Sequence, residues 1–330
     1  MTSAFVTGGS GFIGGALIRR LVAEGWAVRA LARSDASAAK VAALGAEPVR
    51  GDLDDVAAMS AGAAGCELVF HAAAQLGDWG RRADFERGNV QGTRNALAAA
   101  RRAGVRRFVH VGTEAVLLAG DPLVEVDERA PLRYDSPALY ASTKARAEEA
   151  VVEANRDGLE TVVVRPRFVW GRGDNTLLPA LTRMVRSGRF AWIGGGRHRT
   201  AITHVDNTVH GLMLGAERGA PGGVYFVTDG RSVVCREFVT RLLATQGVTP
   251  PERSVPTPVA RAVAAAGETA WRLLPLPGRP PLTRFAVWIS ALETTIDITR
   301  ARTELGYAPV KTIEDGLDEL TESRATVAHR

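Results

Sequence analysis

The segment Thr7-Gly8-Gly9-Ser10-Gly11-Phe12-Ile13-Gly14 limits what this chain can fold into more than any other stretch. It follows the apolar run Ala4-Phe5-Val6 and opens a helix-forming stretch that Gly25 ends. The pattern therefore predicts strand, tight turn and helix in immediate succession. Gly8 permits the tight turn, Gly11 lets backbone N–H groups approach an anion, and Gly14 lets helix and strand pack closely. With Ser10 in the same turn, this is a cradle for the pyrophosphate of a dinucleotide at a helix N-terminus. The Gly-x-x-Gly-x-x-Gly spacing differs by one residue from the commonest dinucleotide fingerprint, so its context between strand and helix carries the weight.

That alternation continues. Strands are predicted at Ala27 to Ala32, Pro48 to Arg50, Cys66 to Ala74, Arg107 to Val111 and Thr161 to Pro166. Helices are predicted at Ala83 to Ala103 and Tyr134 to Asn155. Fully apolar strands alternating with helices indicate a doubly wound parallel (Rossmann) α/β sheet covered on both faces. After Arg167 the rhythm is irregular, and Pro251 to Pro281 is Pro-rich with apolar patches. The predicted organisation is a dinucleotide-binding domain over residues 1–170, with a return to the sheet near 205–228. A smaller, mixed C-terminal substrate lobe follows over 171–330.

Composition excludes several classes. The net charge is +5, but the arginines are scattered, as in Arg19-Arg20, Arg101-Arg102 and Arg106-Arg107, and form no nucleic-acid-binding block. Cys66 and Cys235 are isolated, matching neither a metal site nor a disulfide framework, and a reducing compartment fits them. Met1-Thr2-Ser3 leads straight into a strand, and no run reaches the ~18 apolar residues of a membrane span. A cytoplasmic protein without metal, nucleic acid or integral membrane segment is expected. Val259 to Ala270 and Arg284 to Leu292 carry apolar faces, which suit packing against the second lobe, with peripheral membrane association as the alternative. Lys40, Lys144 and Lys311 are the lysines, against 38 arginines, so each retained lysine points to a use that arginine does not serve.

Two features bear on the cofactor. An acid at the end of the second strand would bind a ribose 2′-OH and select NAD. Here Ala32 stands at that place, with Arg33 next and Lys40 seven residues on, so the reading is NADP(H) in preference to NAD(H), with Arg33 and Lys40 at the 2′-phosphate. Asp52, at the end of the third strand, is placed to accept from the adenine amino group. Ala72, Ala73 and Ala74 leave room for ribose or phosphate at the end of the fourth.

Tyr140 and Lys144 are i,i+4 on one helix face. A phenol with a pKa near 10 needs help to exchange protons at neutral pH. An ammonium one turn away, with the cation of an oxidised nicotinamide, would lower it. Thr113 offers a hydroxyl at the C-terminal edge of the sheet, where open α/β sheets bind ligands, and Glu114 beside it is a weaker candidate.

Together these residues resemble an extended short-chain dehydrogenase/reductase, and the similarity spans essentially the whole chain. It is carried by Thr7 to Gly14, Gly51-Asp52-Leu53, His71 to Ala74, Asn89 to Thr93, Tyr140 to Lys144, Arg165-Pro166, Trp170-Gly171 and His204 to Asn207. The resemblance implies Tyr140 as catalytic acid/base, Lys144 as its partner and Thr113 in the place of the usual serine or threonine. It also implies the Phe12 and Ile13 backbone at the pyrophosphate, Asp52 and Leu53 at adenine, and Asn89, Pro166 and Arg167 near the cofactor. A homodimer is in keeping with the family.

Within that family the chain is similar to the 3β-hydroxysteroid dehydrogenase and dihydroflavonol-reductase-like branches. That similarity implies exchange between a ketone or aldehyde and an alcohol on a hydrophobic steroid-like, aryl or cyclic substrate. Trp79, Leu117, Phe168, Trp170 and Trp192 are the candidates to line its pocket, with Val116, Leu118, Leu177, Leu178 and Phe190 in the same segments. The alternative is a sugar-nucleotide epimerase or dehydratase with tightly bound NAD. Against it, Thr200 stands where such enzymes carry a phosphate-binding arginine, although Arg197 or Arg199 could substitute.

Overall fold

A computed structural model describes residues 2–274 and 276–328, with side chains through Arg324; Met1 and Pro275 lie outside the described residues. Seven parallel strands form the main sheet: β1 (Ser3–Thr7), β2 (Ala27–Ala32), β3 (Glu47–Arg50), β4 (Leu68–His71), β5 (Arg107–Val111), β6 (Glu160–Pro166) and β7 (Gly223–Val227). Their spatial order is β3-β2-β1-β4-β5-β6-β7. The order reverses between β1 and β4, and a crevice opens beyond their carboxyl ends, where doubly wound sheets bind ligands.

Alternate residues of each strand feed opposite faces. Ala4, Val6, Phe70 and Val109 pack under α1 (Phe12–Ala23), α2 (Asp35–Ala43) and α6 (Val205–Arg218). Phe5, Val69, Phe108 and Val163 pack under α3 (Val56–Ala63), α4 (Gly92–Arg102) and α5 (Leu139–Glu153). Burial on both faces explains why the strands read as continuous apolar runs rather than alternating ones.

Three elements differ from expectation. The run Cys66 to Ala74 contributes a shorter strand, and Ala72 to Ala74 leave the sheet toward the crevice. The helix expected over Ala83 to Ala103 is interrupted: Arg82–Phe85 is α-helical, Glu86–Gln91 widens into a π-turn, and α4 follows. The helix expected from Tyr134 begins at Leu139, because Pro137 disfavours helical geometry at Ser136 and Ala138 is extended as N-cap.

Beyond β6 the chain builds smaller units before and after rejoining the main sheet through α6 and β7. Val169–Trp170 pairs with Thr203–His204, and Trp192–Ile193 pairs with Ser254–Val255, both parallel. A mixed four-stranded sheet joins Val233–Val234, Arg199–Thr200, Thr294–Ile296 and Leu123–Val126. Trp170, Phe190, Trp192, Ile202 and Phe238 form a separate core here. The Pro-rich stretch contains a helix, Thr257–Leu273, with Pro258 in its first turn, where a missing N–H costs nothing. Among the described residues no helix is long and apolar enough to cross a membrane.

Candidate active site

A cleft of about 820 Å³ runs along the carboxyl ends of the strands from Arg33 to Tyr140. Its floor is the β1–α1 turn. Gly8 has φ +72°, and a Cβ there would lie 2.5 Å from the Ala73 nitrogen; at Gly14 a Cβ would lie 2.3 Å from the Gly8 carbonyl oxygen. Side chains are therefore excluded from this turn by contact. Gly11 is the extended N-cap of α1 and no side chain caps that helix, so its first N–H groups face the cleft without a side-chain acceptor. Such a cradle fits a pyrophosphate, and the residues present fit a nicotinamide dinucleotide along the whole cleft.

The cleft brings together Gly8, Ser10, Gly11, Phe12, Ile13, Gly14, Arg33, Asp52, Leu53, Ala72, Ala73, Ala74, Thr113, Tyr140, Lys144, Pro166 and Phe168 of the residues singled out in the sequence. Arg33 is exposed at the end of β2 and has no ion-pair partner among the described residues. Ser37, from the capping box that Ser34 makes at α2, lines the cleft beside it. Lys40 lies in the last turn of α2, exposed and outside the cleft lining.

Asn89 is also outside the lining, and it braces the walls instead. Its Oδ1 accepts from the Gln75 N–H at 2.7 Å, while its Nδ2 donates to the Thr143 hydroxyl at 3.0 Å. It thus joins the loop after β4 to the helix that carries Tyr140 and Lys144. The π-turn at Glu86–Gln91 contains Asn89, in keeping with the use of such turns at functional sites.

Arg167 is buried below the cleft, paired with Glu114 and donating through Nε and an Nη to Thr200 at 3.2 and 3.0 Å. Thr113 donates to Glu114 Oε2 at 2.9 Å and accepts from the Ala115 N–H at 3.2 Å. A buried chain Thr113–Glu114–Arg167–Thr200 therefore backs the Tyr140 end of the cleft. Phe168, next to Arg167, holds φ +48°, a strained value for a bulky residue, and faces the cleft.

Lys144 is buried, and its Nζ donates to the Val111 carbonyl at 2.8 Å and lies 3.0 Å from His110 Nε2. Burial pulls its pKa down to about 8, against a smaller upward pull from Glu148. His110 is buried, and its ring is stacked on His71 at 5.4 Å between centroids. His71 spans the hydroxyls of Thr7 and Thr93 at 2.7 and 3.0 Å. Burial, then the Lys144 charge, holds His71 down to about 3, so it is neutral across the physiological range.

The expectation that Lys144 lowers the Tyr140 phenol is not met in the protein alone. Burial first, and the Glu114 charge second, push that phenol up, and only the Thr113 hydroxyl acts downward. The phenol accordingly keeps its proton at neutral pH, and the polar contacts of Lys144 Nζ go to His110 and Val111.

The other substrate candidates separate. Trp170 is wholly buried between His204 and Phe238, with its Nε1 donating to Asp229 at 2.8 Å. Trp192 packs on Phe190 and Leu117 lies in the core, so none of these three lines the cleft. Trp79 is half-buried beneath the Arg272 guanidinium, beside rather than within the lining. The His204-to-Asn207 motif is structural: Asn207 accepts from the Val310 and Lys311 N–H groups at 2.7 and 2.8 Å and donates to Asp229. Sequence reading missed Gln75, Leu76, Arg87, Asn175 and Thr176 in the cleft and His110 behind it, because no local pattern marks them.

This fold and site define an extended short-chain dehydrogenase/reductase, an NAD(P)-dependent oxidoreductase acting on CH–OH or C=O groups. The model of the 3-beta hydroxysteroid dehydrogenase/isomerase family matches residues 5–257, and the chain belongs to that family. It is 49% identical over 319 residues to the 4-hydroxy-2-methyl-3-oxo-4-farnesyl-3,4-dihydroquinoline-1-oxide ketoreductase of Stigmatella aurantiaca, covering 97% of this chain and 96% of that protein. It is 38% identical to the 2-alkyl-3-oxoalkanoate reductase of Stenotrophomonas maltophilia, over 97% and 98% of the two chains. Among solved structures, gox2253 superposes with a TM-score of 0.79 at 28% identity, over 100% of this chain and 98% of the other. The dTDP-glucose 4,6-dehydratase DesIV of Streptomyces venezuelae, with NAD and TYD bound, gives 0.76 at 25% identity, over 99% and 98%.

Proposed function

We propose that this chain is an NADP(H)-dependent ketoreductase that interconverts a ketone or aldehyde and its alcohol on a hydrophobic substrate, with Tyr140 as acid/base. The observation that carries this reading is one continuous cleft with the glycine cradle on its floor, a free Arg33 at one end and Tyr140, Lys144 and Thr113 at the other. A reduced nicotinamide dinucleotide held in that cleft supplies the hydride.

The rest of the chemistry falls to side chains. Tyr140 donates its phenolic proton to the substrate oxygen, and its raised pKa keeps that proton in place until a basic oxygen develops. Lys144, one turn on, lines the same cleft and has one N–H beyond those that meet Val111 and His110 to offer a ligand. Thr113 has committed its hydroxyl proton to Glu114, so as it stands it offers a lone pair, which suits an alcohol donor. Holding a carbonyl oxygen requires that hydroxyl to turn from Glu114. Phe168 and Leu76 give the substrate end apolar walls, and the segments after residue 170 are assigned the substrate lobe.

The names of the two reductase relatives place a keto group on a molecule bearing a farnesyl or alkyl chain, which supports a hydrophobic substrate here. Against a sugar nucleotide speaks Thr200, which is buried and taken up by Arg167 in the place where a phosphate-binding arginine would stand. The test is a screen of NADPH and NADH consumption across alkyl, aryl and steroid ketones, with UDP- and GDP-sugars as controls. Turnover of the sugar nucleotides alone would reject the proposal.

A further inference from the structure

Thr113 and Glu114 follow β5, and Arg167 follows the neighbouring strand β6, so a carboxylate and a guanidinium leave adjacent parallel strands together. Both are buried. Arg167 Nη1 donates to Glu114 Oε1, while its Nε and other Nη donate to the Thr200 hydroxyl. The Arg167 backbone N–H donates in turn to Thr203 Oγ1 at 3.1 Å. Glu114 is therefore held from behind by a fixed cation. Its other oxygen, Oε2, is left to accept from Thr113 at 2.9 Å.

A hydroxyl has one proton to donate and two lone pairs to offer. At Thr113 the proton goes to Glu114 Oε2, and one lone pair accepts from the Ala115 N–H at 3.2 Å, where Thr113 caps the short turn Glu114–Leu117. One lone pair remains, on a side chain that lines the cleft as Tyr140 does. Turning the hydroxyl toward a ligand would strip Glu114 Oε2 of its donor in the interior. Among the described residues no other hydrogen bond reaches that oxygen. A buried acceptor loses most from such a change when it is ionised. Arg167 thus acts through Glu114 to keep Thr113 an acceptor.

Tyr140 has the opposite polarity. Its phenol keeps its proton and donates it, and the Thr113 hydroxyl is its hydrogen-bonding neighbour. Two neighbouring oxygens, one donating and one accepting, complement a ligand that sets an accepting oxygen beside a donating one. A carbonyl with a hydroxyl on the next carbon has that arrangement, whereas a plain ketone leaves the Thr113 lone pair without a partner. Resting on the ketoreductase reading, we infer that Glu114, locked by Arg167, is a positioning residue that fixes Thr113 as a hydrogen-bond acceptor, so that the cleft prefers α-hydroxy ketones to plain ketones. Tyr140 gives its proton to the carbonyl oxygen. The neighbouring hydroxyl keeps its own proton and only shares it with Thr113, so reduction by NADPH yields a vicinal diol.

The test measures kcat/KM with NADPH for a long-chain α-hydroxy ketone, its O-methyl ether and the same ketone without that oxygen. The ether keeps the oxygen and loses the donor. Wild type is expected to favour the hydroxy ketone over both others by about tenfold or more. In Glu114→Gln the amide N–H meets the Thr113 oxygen while the amide oxygen still accepts from Arg167, which frees the Thr113 proton for a carbonyl. The preference should then shrink to about threefold or less, with the plain ketone gaining. A purely structural loss would instead lower all three values in proportion. Thr113→Val, which removes the acceptor without touching the Glu114–Arg167 pair, should also level the three substrates. Equal values for all three in wild type, or a ratio unmoved by Glu114→Gln and Thr113→Val, overturns the inference and leaves the ketoreductase reading standing. Turnover of none of the three overturns both.

Discussion

Lys144 Nζ lies 3.0 Å from His110 Nε2, and these two buried nitrogens sit behind the Tyr140 end of the cleft. Among the described residues His110 Nδ1 has no partner, so there the imidazole has one polar contact and that contact is the lysine. As acceptor, Nε2 favours the charged form of Lys144, while burial, which draws the amine down to about 8, favours the neutral form.

A pH dependence follows from that balance. Lys144 is protonated below about pH 8 and loses its proton above it. If the ammonium is the working form, kcat/KM for carbonyl reduction falls as pH rises through about 8. Removing the His110 acceptor with His110→Phe should move this limb to lower pH, because the charged amine loses a hydrogen bond. A pH–rate profile of both proteins checks the prediction, and an unmoved limb would separate His110 from the chemistry.

Arg33 reaches the cleft without a carboxylate partner among the described residues. A charge-assisted contact to a 2′-phosphate contributes about 1.5–3 kcal/mol, equivalent to roughly 10- to 100-fold. Arg33→Ala should raise the KM for NADPH by that factor and leave the KM for NADH within about twofold. Lys40→Ala, on the outer side of α2, should change neither. Steady-state kinetics with both cofactors decides, and equal losses would remove the assignment.

Gly14 has no room for a side chain, since a Cβ would come within 2.3 Å of the Gly8 carbonyl oxygen. Gly14→Ala must push α1 away from the turn. Overpacking of this sort costs about 1–3 kcal/mol, and the displaced helix N-terminus should weaken NADPH binding more than it weakens folding. Fluorescence titration and urea unfolding on the same sample separate the two effects.

Glu148 and Arg165 form a buried pair on α5 and β6, with Arg165 Nε donating to Glu148 Oε2 at 2.9 Å. Glu148→Ala leaves an uncompensated cation in the core and should cost about 3–5 kcal/mol in urea unfolding. Glu148 also pulls Lys144 upward, so the same substitution should lower the Lys144 pKa further in whatever protein remains folded.

Local chemistry explains which parts of the fold and site are legible in the sequence. The β1–α1 turn, the apolar strands and the Tyr140–Lys144 spacing each lie within a few residues of chain, and they appeared where predicted except that the strand expected over Cys66 to Ala74 spans Leu68–His71. What escaped depends on contacts between distant segments. Asn89 faces Gln75 and Thr143 rather than the cleft because a π-turn rotates it there, and no composition rule marks that turn. Arg167 and Trp170 have the residue types of a binding site, yet Glu114 and Asp229 respectively hold them in the interior. The stretch Val259 to Ala270 reads in the sequence as an apolar face for packing or for a membrane surface; in helix Thr257–Leu273 Ala260 and Ala264 meet the protein, while Val259, Val263 and Leu273 are exposed.

The central claim is that Tyr140 supplies the proton to a hydrophobic carbonyl in this cleft. Its most direct measurement compares wild type with Tyr140→Phe in NADPH oxidation against a long-chain or ring ketone, with NADPH affinity determined by fluorescence in parallel. The account predicts a fall in kcat of about 10²- to 10⁴-fold with cofactor affinity nearly unchanged. A Tyr140→Phe protein that turns over at the wild-type rate would contradict it.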